Sequence, residues 1–241
     1  MPEATLNPRR ISDTVERLRQ RIEARFPESS LGRVALHLAD VAAKASATSQ
    51  WIAQPIVGLR IGVFGLVVVI VLGLGLTLWS LPLPKGGLEL AQFIQVLEAG
   101  INDVVLIVAA VFFLASVETR IKRHRALTSI HELRSIAHVI DMHQLTKDPE
   151  WVLGRGPETG HVPGRSMTSF ELARYLDYCS EMLSLTGKIA ALYIQRFDDG
   201  VALQAVNEIE SLTNGLARKI WQKLMILYQM HGQEGATLNR P

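Results

Sequence analysis

The chain has 241 residues, 48% of them hydrophobic and 20% charged, and its 25 Lys and Arg against 23 Asp and Glu leave a formal charge of +2. That is too apolar for an ordinary soluble domain and too charged for a bundle of many membrane spans, so a small membrane protein with a large water-exposed part is expected. One cysteine, Cys179, excludes an intrachain disulfide, and the near-neutral charge without an aromatic-rich basic motif argues against nucleic acid as a partner.

The first 55 residues read as N-terminal helices on the cytoplasmic side. In "NPRRISDTVERLRQRIEARF" the residues Ile11, Val15, Leu18 and Ile22 recur at helical spacing, with Arg10, Arg17, Arg21 and Arg25 around them. Such a helix either lies on anionic headgroups or packs into a bundle of the chain's own helices. Ser29 or Ser30 caps a second helix, whose stripe of Leu31, Val34, Leu38 and Val41 runs on toward Pro55, where the chain meets the membrane.

Residues 56–118 are expected to form a transmembrane helical hairpin. "IGVFGLVVVIVLGLGLTLWSL", Ile61 to Leu81, holds no ionisable group and is long enough for one hydrocarbon core of about 30 Å. It lies too far along the chain and is too long for a secretory signal. "PLPKGG", Pro82 to Gly87, marks the turn. The second span is apolar from Val104 to Val117 and borrows helix from Leu88 onward, with a bend possible at Gly100. Arg60 before the first span and Arg120, Lys122, Arg123 and Arg125 after the second outweigh Lys85 between them, so both termini are expected in the cytoplasm of a bacterial inner membrane.

Residues 119–148 continue the second membrane helix into the cytoplasm. Ile130, Leu133, Ala137 and Ile140 make a coiled-coil-like seam, and with the last helix they offer apolar surface that is expected to bring copies together as a homo-oligomer. His124, His131 and His138 stand seven residues apart beside that seam. Each step rises about 10 Å, too far for one metal ion whose bonds are near 2 Å, so no metal site is expected and proton sensing is the functional alternative to a solvated face. Arg134, His138 and Asp141 are spaced to form a hydrogen-bonded chain on that face.

Pro149 ends this helix, and residues 149–167, with "GRGPETGHVPGR", read as a flexible loop without a phosphate-binding or dinucleotide pattern. Residues 168–231 read as an antiparallel helical hairpin. Thr168 and Glu171 form a capping box, Met167 and Leu172 a staple, and Leu172, Leu176, Cys179, Leu183 and Ile189 the buried stripe. Asp199 caps the last helix, which buries Val206, Ile209, Leu216, Ile220 and Leu227 and ends near Met230, leaving 232–241 as a disordered tail.

The expected fold class is therefore an all-α membrane protein, a two-span hairpin with a cytoplasmic helical bundle. No catalytic motif and no cofactor motif is recognisable, so no enzyme is expected. Two function classes remain. At 100° per residue Gln92, Gln95, Glu98, Asn102, Ala109, Phe113, Ser116 and Arg120 share a face about 120° wide, as the lining of an ion channel would. Glu98 and Asp103 would then stand at the outer mouth and favour cations, with Phe113 as the dry constriction. Ala109 and Ser116 equally suit a helix contact in the bilayer, in which case the chain is a membrane-anchored scaffold or sensor for a partner.

Overall fold

The computed structural model describes residues 5–80, 90–147, 149 and 167–238. Its elements are α1 (Pro8–Arg25), α2 (Ser30–Ala53), α3 (Val57–Ser80), α4 (Leu90–Leu145), α5 (Ser169–Leu192) and α6 (Gly200–Leu238), with no strand among the described residues. The protein is all-helical. It divides into two units, one made of residues 1–53 and 125–241 and the other of residues 54–124. α4 contributes to both.

The first unit is a helical bundle. Asn7 starts α1, its side-chain oxygen accepting from the Arg9 and Arg10 amides at 3.0 and 3.3 Å while Pro8 occupies the first turn, where no donor is needed. Ile11, Val15, Leu18 and Ile22 are then buried against α2 and α5. Of the two fates open to this helix, its apolar face takes the bundle and not the headgroups. The turn into α2 places Glu28 at a φ of 56°, and Ser29 accepts from the Gly32 amide at 3.0 Å, so Ser29 is the cap. Arg21 and Glu181 join α1 to α5 by two hydrogen bonds of 2.9 and 3.0 Å.

Thr168 and Glu171 form the full reciprocal capping box at the start of α5, and Asp199 accepts from the Ala202 amide at 3.0 Å at the start of α6. α5 and α6 pack together, with Gly187 close enough that an added Cβ would stand 3.3 Å from the Thr213 hydroxyl. Every apolar position that the sequence assigns to the α5–α6 core, including Cys179, is buried.

Residues 125–145 of α4 lie among these helices. Arg125 stacks 4.4 Å from the Trp51 ring, His143 Nδ1 stands 3.5 Å from the Ser30 hydroxyl and 3.4 Å from that of Tyr175, and Arg134 pairs with Glu208. From α6, the Lys223 ammonium donates to the Gln144 and Lys147 carbonyls at 2.7 and 3.0 Å, satisfying the end of α4 where the helix dipole is negative.

The seam expected to bring copies together is enclosed within one chain: Ile130, Leu133, Ala137 and Ile140 are buried, with α2, α5 and α6 supplying cover that a single helical hairpin lacks. The tail expected from residue 232 is helical as far as Leu238, since no proline interrupts it and each added residue gains a backbone hydrogen bond. The expected loop at 149–167 and turn at Pro82 to Gly87 fall, except for 149 and Met167, outside the described residues.

The second unit contains α3 and the first part of α4, two helical stretches long and apolar enough to cross a membrane, with none of the apolar window of either buried. α4 passes through Gly100 as one continuous helix.

Candidate functional site

The site begins with an ionic clamp at the foot of the apolar pair. The backbone turns from α2 to α3 at Pro55, which leaves the Ile56 amide outside any helix ladder, and Glu118 takes it up at 3.3 Å. The same carboxylate accepts from Arg60 at 3.0 and 3.4 Å and pairs with Lys122, one turn along α4, at 2.8 Å. Only 14% of the Glu118 side chain and 10% of that of Lys122 are exposed, so this cluster is worth more than a solvated surface pair. Sequence reasoning counted Arg60 and Lys122 as cationic flanks and did not join them to Glu118. The signal was there: Arg60 is the ionisable group nearest the first apolar run and Glu118 the carboxylate that ends the second.

The clamp defines which side of each helix is sheltered. Half-buried residues recur at Ile56, just before α3, and at Leu59, Val63, Val67 and Ile70 within it, in steps of three and four; in α4 they are Ile107, Val111 and Leu114 and then the whole turn Ser116, Val117, Glu118 and Thr119 beside the clamp. Counting from Glu118 at 100° per residue, the line through Gln95, Glu98, Asn102, Ala109, Phe113, Ser116 and Arg120 falls in a band about 60° wide on the opposite side of α4. Glu98, Asn102, Ala109 and Phe113 are exposed there, and Ser116 is half-buried, its hydroxyl donating to the Phe113 carbonyl at 2.7 Å. For Gln95 the helical backbone alone is described.

Asp103 does not belong to this band. α4 is unbroken from Leu90, so five residues from Glu98 to Asp103 turn it by about 140°, toward the sheltered side. Glu98 and Asp103, both exposed, therefore leave α4 about 140° apart. Arg120 does belong: its guanidinium lies over the Phe113 ring, 5.7 Å from the centroid, on the exposed face.

His124, His131 and His138 are all exposed, and the latter two belong to the bundle unit. Their seven-residue spacing puts them beside the buried seam, as read from the sequence. The chain of Arg134, His138 and Asp141 does not form, because better partners compete: Arg134 pairs with Glu208 on α6, and Asp141 accepts from the Gln144 amide at 2.6 Å. His138 instead lines a shallow groove of about 500 Å³ with Arg134, Gln204, Asn207, Glu208 and Ser211. Arg134, then Gln204, hold the Glu208 carboxyl below its usual range, with His131 adding to the effect. Among the described residues no three His, Cys, Asp or Glu side chains are grouped to hold a metal ion.

Compared with protein-family models, with curated proteins and with solved structures, the chain finds no match in any of the three.

Proposed function

We propose that the chain is an integral membrane protein that assembles from several copies into an ion channel lined by α4. The observation that carries this reading is the phase of α4. Glu98, Asn102, Ala109, Phe113, Ser116 and Arg120 stand in one narrow line turned away from Glu118, while the other exposed residues of this stretch are mostly apolar, Ile101, Val104, Val105, Leu106, Val108 and Phe112, with Asp103 the one carboxylate among them. A helix bound only by lipid gains nothing by gathering Glu, Asn, Ser and Arg on one line, whereas a water-filled path shared by several copies accommodates them. In that arrangement α3 forms the outer layer, Phe113 the dry constriction, and the bundle lies on the cytoplasmic side with both termini.

The test is ion flux from the purified oligomer in liposomes. Wild-type protein should conduct, and Phe113→Ala should raise conductance or leak by widening the constriction. An assembled oligomer that carries no ion at any voltage or pH would sink the channel.

A second reading, a membrane-anchored scaffold, is favoured by one observation on the bundle. Trp221, Met225 and Tyr228 of α6 are exposed at 61%, 46% and 57% and lie on one side of the helix, the arrangement of a partner-binding stripe. It forecasts no flux and sensitivity to Trp221→Ala in partner capture.

A further inference from the structure

We infer that the path along α4 selects for small inorganic anions such as chloride, with Arg120 as the selectivity-determining residue; this rests on the channel reading above. The sequence had suggested the reverse, a cation path set by Glu98 and Asp103. Helix phase turns Asp103 about 140° from Glu98, off the line through Phe113 and Arg120, and distance weakens Glu98. Glu98 is fifteen residues from Phe113, about 22 Å along the axis, whereas Arg120 is seven residues away, about 10 Å, and its guanidinium reaches back over the ring to 5.7 Å.

An ion is discriminated where the path is narrowest, because there it has shed water and the local dielectric is low, so a nearby fixed charge acts at full strength. The charge beside the constriction is the Arg120 guanidinium. Its stacking on Phe113 holds it at the lining instead of letting it extend into bulk water. Nor is it cancelled on its own face: between Asn102 and Arg120 the lining line carries no carboxylate, and the nearest one, Glu118, is turned to the opposite side and occupied by Arg60, Lys122 and the Ile56 amide. Repeated around an axis by several copies, the arrangement places a ring of positive charge against a ring of phenyl groups, a site that concentrates anions and repels potassium.

The experiment is reversal potential in a potassium chloride gradient across liposomes holding the full-length oligomer. Wild type should reverse near the chloride potential. Arg120→Gln should move the reversal toward the potassium potential, and Glu98→Gln should leave it near chloride. Because Arg120→Gln can also disturb assembly, Arg120→Cys gives a second route. A cationic methanethiosulfonate should restore anion preference and an anionic one should drive it toward potassium, with the enclosed Cys179 silent to both. A conducting wild type that prefers potassium, or a reversal potential indifferent to the charge at position 120, overturns the inference and leaves the channel standing. An assembled oligomer without current for either ion overturns the channel, and the inference with it.

Discussion

Leu133 and Leu106 lie on the same helix, twenty-seven residues apart, and their surroundings have almost nothing in common. Leu133 is enclosed to 0% exposure by the helices of its own bundle, while Leu106 shows 67% of its surface. The contrast extends along α4. Residues 125–145 present a narrow apolar seam with charged flanks, the pattern of a helix that meets protein on one side and water on the other. Residues 104–117 are apolar except for Ser116, and little of that surface is covered within the chain. Burial in one chain is thus finished in the bundle and left unfinished in the apolar pair, which is what a helix pair suited to lipid or to further copies presents.

The sharpest way to test this contrast is to delete the same atoms in both places. Leu133→Ala should destabilise the bundle by about 2–5 kcal/mol, since it removes enclosed methyl groups and leaves a cavity. Leu106→Ala should stay within about 0.5 kcal/mol, because little packing within the chain is lost. Thermal unfolding in detergent followed by circular dichroism measures both, and equal shifts would erase the distinction.

Next in size is the clamp, the part of the apolar pair that resembles the bundle in being satisfied internally. Glu118→Gln should cost on the order of 1–3 kcal/mol, since three donors lose their charged acceptor. Arg60→Gln should cost less, because Lys122 and the Ile56 amide remain on the carboxylate. If the arginine change proves the larger, Glu118 is not the hub.

A smaller effect separates the bundle from the apolar pair by pH. Burial first, then Lys147 and Arg33, lower the pKa of His143 from its ordinary 6.5. The unfolded chain therefore binds the proton before the folded one does. Stability is unaffected well above pH 6.5, falls as pH drops through that value, and levels off once the folded imidazole is protonated as well. His143→Gln should flatten the stability profile between pH 7 and 5, and a mutant that keeps the wild-type slope in titrated denaturant melts would exclude His143 as its source.

The least conspicuous readout is chemical. Burial pushes the Cys179 thiol up to about 12, so the thiolate that reacts is scarce as well as enclosed. An alkylating reagent at pH 8 should leave the folded protein unlabelled and modify it on unfolding, whereas a cysteine placed at exposed Val201 should react at once. Rapid labelling of native wild type would mean that α5 and α6 open readily.

Much of the fold was legible because the signals were local. The Thr168 to Glu171 box, the Asp199 cap and the break at Pro55 each depend on residues within one turn, and the core stripes of α1, α2, α5 and α6 follow from helical spacing alone. The capping role of Asn7 also lay in the sequence, as Asn followed by Pro, and was passed over. The histidines were correctly placed beside the seam, but their hydrogen-bonded chain was not found, because spacing fixes which groups are near on one helix and not which partner on another helix offers a shorter bond.

By itself the sequence determined the helices, their ends and the two apolar runs, since these depend on residue type and on neighbours three or four positions away. The tertiary structure alone decided what each apolar face meets. The seam at Leu133 reads equally well as a contact between copies or within one chain, and only the arrival of α2, α5 and α6 from distant parts of the sequence fills it. It also decided the partners of charge. Arg60 and Glu118 are 58 residues apart, and Arg134 and Glu208 are 74. Arg120, by contrast, was joined to Phe113 by a helix continuous over seven residues, and its stacking required a side-chain rotamer that no periodicity specifies.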